Sequence, residues 1–299
     1  MRKILSFLLG IVCTFNVQSQ DSIPVIVMGK LSSAINDETS GLVASSSKKR
    51  LLYIHNDSGD TSRFFSIGFD GTLKAIYSFG ANPLRRNRVN DCEDIAMGKG
   101  PKGKQYVYLG DIGDNNAKRN YITIYRIREP KLKSSGSVME VAVDAEPLHL
   151  HYPDGARDAE TLMIDPLEKL FYIISKREDS VNVYTAPLYF DAGDSVVLSK
   201  KATLYFEGNT SAKWICGGDI SRNGSQVLLK NYLKVFYWKR KGKEPIWQLL
   251  KTPPREMPYR VEQQGEAIGF SPDGDGYFTI SEGTHPDVNY YPLKRNQER

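Results

Sequence analysis

Five acidic residues recur at the head of similar phrases, and carboxylates gathered in that way would do cation chemistry. The phrase is an acid, one or two small or polar residues, an aliphatic stretch, a turn, and a second strand ending in polar residues. It runs Glu38-Thr39-Ser40-Gly41-Leu42 before Leu51 to Asp57, then Glu93-Asp94-Ile95-Ala96 before Tyr106 to Asp111. It returns as Glu160-Thr161-Leu162-Met163 before Leu170 to Lys176, and more weakly as Asp219-Ile220-Ser221 before Gln226 to Lys230. The fifth copy is Glu266-Ala267-Ile268-Gly269 before Gly276 to Glu282. Carboxylates converging on one point repel one another unless they are protonated or neutralised. A hard divalent ion supplies that neutralisation, and Ca²⁺ accepts about six to eight oxygen ligands of mixed origin. The loops Asn56-Asp57-Ser58-Gly59-Asp60 and Asp111-Ile112-Gly113-Asp114-Asn115 add further oxygens. The expected metal set is therefore Glu38, Asp57, Glu93, Asp94, Asp111, Glu160, Asp219 and Glu266, with calcium as the cofactor. Asp-rich loops also cap turns through their own side chains, and that is the competing account of either loop by itself.

Cations follow the same copies. Arg157 precedes Glu160, Lys176-Arg177 closes the second strand of the third copy, and Lys230 closes that of the fourth. If those strand ends open onto the acidic face, Arg157, Lys176, Arg177 and Lys230 would hold an anionic substrate beside the metal. The competing account pairs Lys176 and Arg177 with Glu178 and Asp179, or leaves them in solvent.

Elements must bring these residues together, and the repeat says which. The five acids stand 55, 67, 59 and 47 positions apart, each interval enough for one four-stranded blade. Further strand candidates lie between them at Arg63–Gly68, Ile122–Ile127, Val181–Ala186 and Val235–Lys239. Asp70-Gly71, Pro153-Asp154-Gly155, Asn223-Gly224 and Pro272-Asp273-Gly274 punctuate the strands as turns. No segment keeps a capped 3.6-residue apolar period, so no long helix is expected. Radial repetition is the usual way for so many short antiparallel strands to avoid long exposed edges. The fold class is all-β, a propeller of five blades, with six the alternative and a β-sandwich pair the competing architecture. Ile23 to Val27 reads as a strand that pairs beside the C-terminal strand and closes the ring. The first strand of each blade would line the axis, so a residue type recurring at its head converges there.

The first nineteen residues are set apart. Arg2 and Lys3 precede an apolar run from Ile4 to Val12, and Val17-Gln18-Ser19 forms a cleavage site: the layout of a secretory leader. Residues 20–299 then form a single propeller domain, secreted or periplasmic, with no membrane span and as an expected monomer. The formal charge of +5 falls to +3 without the leader, too small an excess for a nucleic-acid binder of this length. With 40% hydrophobic and 25% charged residues, the chain is not a disordered one. Cys92 and Cys216 remain, either disulfide-bonded, which export permits, or as two separate buried thiols.

Other spellings are decoys. Gly98 to Lys104 resembles a phosphate loop, but Gln105 replaces the Ser or Thr and a strand follows, so it reads as a hairpin loop. Lys239-Arg240-Lys241-Gly242-Lys243 reads as a solvated turn. His55, His149, His151 and His285 lack metal-protease spacing, and no nucleophile elbow or paired-cysteine zinc pattern occurs.

The phrases Asp91-Cys92-Glu93-Asp94-Ile95-Ala96, Ile124-Tyr125-Arg126, Asp158-Ala159-Glu160-Thr161-Leu162 and Gly265-Glu266-Ala267 resemble those of the β-propeller phytase group and its exported relatives. The resemblance spans most of the chain as short blade motifs. It implies a calcium-filled face on which metal ions and basic residues hold phosphate and activate water. It supports Glu93 and Glu160 as acids of that face and points to Lys176 as a phosphate contact. The chain departs from the group where Asp94, Thr161 and Ala267 replace the Gly after the repeat Glu, where Asp37-Glu38-Thr39 replaces Asp-Asp-Pro, and in blade number. Two classes of function follow: a binding or scaffold module for an anionic small molecule, polysaccharide or protein, or a metal-dependent hydrolase of phosphomonoesters, lactones or esters.

Overall fold

The computed structural model describes residues 25–57, 59–79, 89–132 and 136–293. The expected leader (residues 1–19) and Ser58 of the first Asp-rich loop lie outside the described residues. Five antiparallel sheets follow one another in chain order. Blade 1 is β2 (Thr39–Ala44), β3 (Leu51–Asn56), β4 (Arg63–Gly68) and β5 (Leu73–Ser78). Blade 2 is β6 (Cys92–Lys99), β7 (Gln105–Asp111), β8 (Ile122–Arg128) and β10 (Ala145–His151). Blade 3 is β11 (Ala159–Asp165), β12 (Leu170–Ser175), β13 (Val181–Pro187) and β15 (Ser199–Leu204). Blade 4 is β16 (Ile215–Ile220), β17 (Gln226–Asn231), β18 (Val235–Lys239) and β19 (Arg255–Met257). Blade 5 combines β20 (Gly265–Phe270), β21 (Gly276–Ser281) and β22 (Asp287–Pro292) with β1 (Ile26–Lys30) from the other end of the chain. β1 pairs antiparallel to β22 from Ile26 opposite Tyr290 to Lys30 opposite Asp287, so the ring closes on the N-terminal strand as expected.

The blades hold together through five apolar cores, one between each neighbouring pair. The short unbroken apolar runs arise because each inner strand is buried on both faces. On β3, Leu52 and Ile54 pack toward blade 5, whereas Leu51 and Tyr53 pack toward blade 2. On β12, Phe171 and Ile173 face blade 2, and Tyr172 and Ile174 face blade 4. A period of two thus distributes one strand between two interfaces. Each fully buried aromatic contributes roughly 1.5–3 kcal/mol.

Two short strands were not anticipated. β9 (Met139–Ala142) leaves the connection of blade 2 and adds in parallel to β5 of blade 1. β14 (Ser195–Val197) leaves the connection of blade 3 and adds in parallel to β10 of blade 2. Among the described residues helix is confined to a 3₁₀ turn (Pro101–Gly103) and two four-residue helices, α1 (Thr210–Lys213) and α2 (Ile246–Leu249). None is long and apolar enough to cross a membrane. The phosphate-loop spelling is the β6–β7 hairpin connection, as its following strand implied. Cys92 and Cys216 are separate, buried, free thiols.

One segment differs from its expected character. Arg240, in the basic run after β18, is not solvated. Its side chain is 1% exposed and bonds Asp165 of blade 3, whose own exposure is 0%.

Candidate metal centre

In every innermost strand the pairing with the second strand skips one residue. The skipped positions are Ser40 in β2, Glu93 in β6, Glu160 in β11, Cys216 in β16 and Glu266 in β20. A bulge of this kind re-aims one side chain out of the ladder. Here five equivalent bulges direct five side chains at one another. Ser40 Oγ donates to the Glu93 carbonyl at 2.8 Å and approaches Glu266 Oε2 at 3.4 Å. Lys176 Nζ spans Glu160 Oε1 at 2.6 Å and Glu266 Oε1 at 3.5 Å.

A second ring stands above the first, built from the residue that follows each second strand. Asp57, Lys176, Tyr232 and Glu282 stand there with the acids, whereas Ile112, the equivalent residue of blade 2, turns into the core between blades 2 and 3. The second-strand ends therefore do open onto the acidic face. Carboxylate oxygens of Asp57, Asp91 and Glu93 lie within 4.8 Å of one another, as do those of Glu93, Asp158 and Glu160, and of Asp57, Glu266 and Glu282.

Of the residues expected to bind metal, Asp57, Glu93, Glu160 and Glu266 come together here. Glu38 does not occupy the ring: it is exposed and one residue ahead of β2, and Ser40 holds the bulge of blade 1. Asp219 is likewise displaced by Cys216, three residues earlier, and its Oδ2 accepts the Phe270 N–H of blade 5 at 2.8 Å. Asp94 also links blades, because its Oδ1 accepts the Ile95 N–H and its Oδ2 the Leu162 N–H of blade 3, both at 2.8 Å. Both of its oxygens thus hold backbone donors. Asp94→Ala should leave the buried Leu162 donor unpaired and cost about 1–3 kcal/mol of stability. Equilibrium unfolding in urea checks this, and a cost near zero would remove the interblade role.

Asp111 faces away from the centre for a similar reason. Its Oδ1 accepts from Arg119 Nη1 at 2.8 Å and from the Asp91 N–H at 3.1 Å. Arg119 also bonds the Gly113 carbonyl at 2.8 Å, and its own N–H goes to Asp114 Oδ2 at 2.7 Å. The Asp-rich loop after β7 is thus an arginine-pinned turn that presses Gly113 against the acids. A Cβ at Gly113 would collide with Glu93 Oε1 and the Asp91 carboxyl. Asp91 and Asp158 were missed because they precede their strands and stand outside the repeat, and Glu282, although it ends the fifth copy, was not put forward as a ligand.

The four expected anion-binding cations separate sharply. Lys230 is fully buried, donates to the Gly265 and Asn231 carbonyls, and lies under Tyr259 at 4.7 Å. No ligand reaches it. Arg157 is spent on Glu178 and Asp154. Lys176 is buried within the acid rings. Arg177 gives its Nε to Asp158 Oδ2 at 2.5 Å and rests on Trp214 at 5.0 Å. Its terminal nitrogens have no partner among the described residues, and its side chain is 37% exposed. Its backbone φ of 63° is left-handed, a strained setting for a residue with a Cβ.

Burial and crowding make the carboxyls reluctant to ionise. Burial, with Glu266 and Asp158 adding repulsion, pushes Glu160 up to about 8 despite Lys176. Burial together with Glu160, Asp57 and Asp91 raises Glu93 well above the usual range. Glu282 is pushed up to about 8 by burial and by Glu266, Asp57 and Glu38. Two buried oxygens, Glu160 Oε2 and Asp91 Oδ1, have no hydrogen-bond partner. Such groups are costly unless a water or an ion satisfies them. The donors are hard oxygens, which suits a hard divalent ion. His55 is buried too; its Nδ1 lies 2.8 Å from the Asn56 carbonyl, its Nε2 has no partner, and burial lowers its pKa to about 4.

No family model matches this chain, and no curated protein matches it. Among solved structures it is similar to the luciferin-regenerating enzyme, at 14% identity and a TM-score of 0.47 over 91% of this chain and 95% of that one.

Proposed function

We infer that this chain is an exported propeller that holds calcium among the axial carboxylates and presents the loaded face as a binding or scaffold module for an anionic ligand. The observation that carries this is Glu160 Oε2, buried and without a hydrogen-bond partner among the described residues, on a carboxylate that comes within 4.8 Å of Glu93 and Asp158. Asp57, Asp91, Glu93, Asp158 and Glu160 Oε2 would hold the ion. When bound, the ion neutralises the acids and offers a Lewis-acidic centre to a phosphate, carboxylate or water. The protein's own part is structural: five blades each contribute one bulge, so a cation held by several of them ties the ring together. Arg177, pre-set on Trp214, offers its free fork to an oxyanion at the rim.

That free fork also favours a second reading, metal-dependent hydrolysis of a phosphomonoester, lactone or ester. The phosphomonoester version is the one toward which the phytase-like phrases point. The test is to purify residues 20–299, measure bound metal, and assay phosphoester and lactone panels with and without chelator. Stoichiometric calcium, a lower melting temperature on chelation and no turnover are expected. Chelator-sensitive turnover would favour the hydrolase, and absence of any stoichiometric metal would end both readings.

Gly113→Ala should push Glu93 or Asp91 out of place. Calcium affinity should fall at least about tenfold, or about 1.4 kcal/mol, by isothermal titration. An unchanged affinity would exclude those two acids from the site.

A further inference from the structure

Lys176 stands where a cation would be expected. It follows β12, its side chain is 4% exposed, and its ammonium has three partners: Glu160 Oε1 at 2.6 Å, Tyr232 OH at 2.9 Å and Glu266 Oε1 at 3.5 Å. Three donors therefore meet three oxygens, and the ammonium is saturated. The Tyr232 and Trp214 rings lie 5.3 and 6.0 Å from Nζ and wall it in. Tyr232 in turn bonds Glu266. Glu160 is consequently divided. Oε1 belongs to the lysine, Oε2 is buried without a hydrogen-bond partner among the described residues, and the carboxylate comes within 4.8 Å of Glu93 and Asp158.

We propose that Lys176 is a tethered internal cation that permanently fills the Glu160–Glu266 side of the acid ring and restricts the centre to one divalent ion on the Glu93 side. This inference rests on the calcium reading given above. It makes Lys176 the residue that sets the stoichiometry of the site rather than one that touches a substrate. The physical basis is charge density. The ammonium joins Glu160 Oε1 and Glu266 Oε1, and Glu266 also lies within 4.8 Å of Asp57 and Glu282, so without the ammonium these oxygens would be open to a second cation. With it, Glu160 Oε1 and Glu266 Oε1 are already held by a charge that cannot diffuse away.

The experiment uses the full chain and calcium alone as the probe. Equilibrium dialysis should give one calcium per wild-type chain and two for Lys176→Met, with Lys176→Arg remaining at one. Two variants with one calcium each would overturn the proposal while leaving the calcium reading standing. A wild type without calcium would overturn both. Lys176→Met removes a buried counter-charge and its folding is at risk, so a second measurement uses the wild type only. Reductive methylation of Lys176 should stay below about a tenth of that at exposed lysines, with or without calcium. If calcium raised it to the exposed level, ammonium and ion would be competing for one place, and the proposal would fail.

Discussion

Replacing Arg240 by methionine should destabilise the propeller by about 3–5 kcal/mol, the usual cost of stranding one member of a buried ion pair. The geometry explains the size. Nη1 and Nη2 grip Asp165 Oδ1 and Oδ2 at 3.0 and 2.7 Å, a two-point contact between blades 4 and 3. The remaining donors reach the Gly224 carbonyl at 3.1 Å, the Glu244 carbonyl at 2.7 Å and Glu168 Oε2 at 3.3 Å. Methionine would fill much of the volume and make none of these bonds, leaving a carboxylate of 0% exposure without its counter-ion. The partner substitution Asp165→Leu strands the guanidinium instead and should cost a similar amount. The double variant should cost far less than the two combined, because it removes both charges at once. A double-mutant cycle in urea measures the coupling, and a loss below about 1 kcal/mol for Arg240→Met would show that the pair does not brace the blades.

That same arginine marks a limit of reading composition along a chain. Within Lys239 to Lys243 nothing distinguishes Arg240 from its neighbours, since its partner Asp165 lies 75 residues away. The strands were far more legible. Val235–Lys239 was expected with the bounds it has, and Ile122–Ile127 and Val181–Ala186 each lack only one further residue. Those segments are buried on both faces, so their apolar runs carry the signal directly. β9 and β14 escaped because they are three or four residues long and half exposed, held by pairing to another blade's edge rather than by their own pattern.

The site was legible in kind and partly shifted in register. Acids at blade heads pointed to Glu93, Glu160 and Glu266, which occupy the bulges of blades 2, 3 and 5. In blades 1 and 4 the acid nearest in sequence drew the eye from Ser40 and Cys216, which occupy the equivalent bulges. A bulge is a pairing property, invisible until the register of two strands is known. The upper ring was hidden for a related reason. Asp57, Lys176 and Glu282 share only their place after a strand end, and their residue types differ. Lys176 was singled out as a cation, yet its partners come from blades 3, 4 and 5, and no local pattern encodes that.

Stability should fall with rising pH in chelated protein and much less steeply in calcium-loaded protein. In chelated protein, Glu160 and Glu282 titrate near 8 and Asp219 near 7, burial being the first cause in each case. Their unfolded values are near 4.5 for glutamate and 3.8 for aspartate. The folded chain therefore holds more protons than the unfolded one across this window, and linkage makes stability fall as pH rises. Their contribution is fully present below about pH 4 and is lost as pH climbs through about 7 to 8. A tenfold change in proton affinity corresponds to about 1.4 kcal/mol, so the buried Glu160 and Asp219 should together forfeit several kcal/mol across the window. Glu282 is only half-buried, and solvent screening makes its share smaller. Calcium removes the ring's part of that slope. An ion that holds ionised carboxylates keeps their protons off, so above about pH 5, where the unfolded carboxyls have also lost theirs, the ring no longer separates the two states in proton binding. Asp219 lies outside the ring and should keep its downward slope in both states, so the loaded protein's curve still falls, but less steeply than the chelated one. Melting temperatures measured from about pH 5 to 8, with calcium and with chelator, should therefore diverge, with the gap widest at the alkaline end. A gap that stayed constant would mean that the ion is not bound by these acids, whereas a chelated protein that gained stability toward pH 8 would mean that they are already ionised and neutralised by the protein alone.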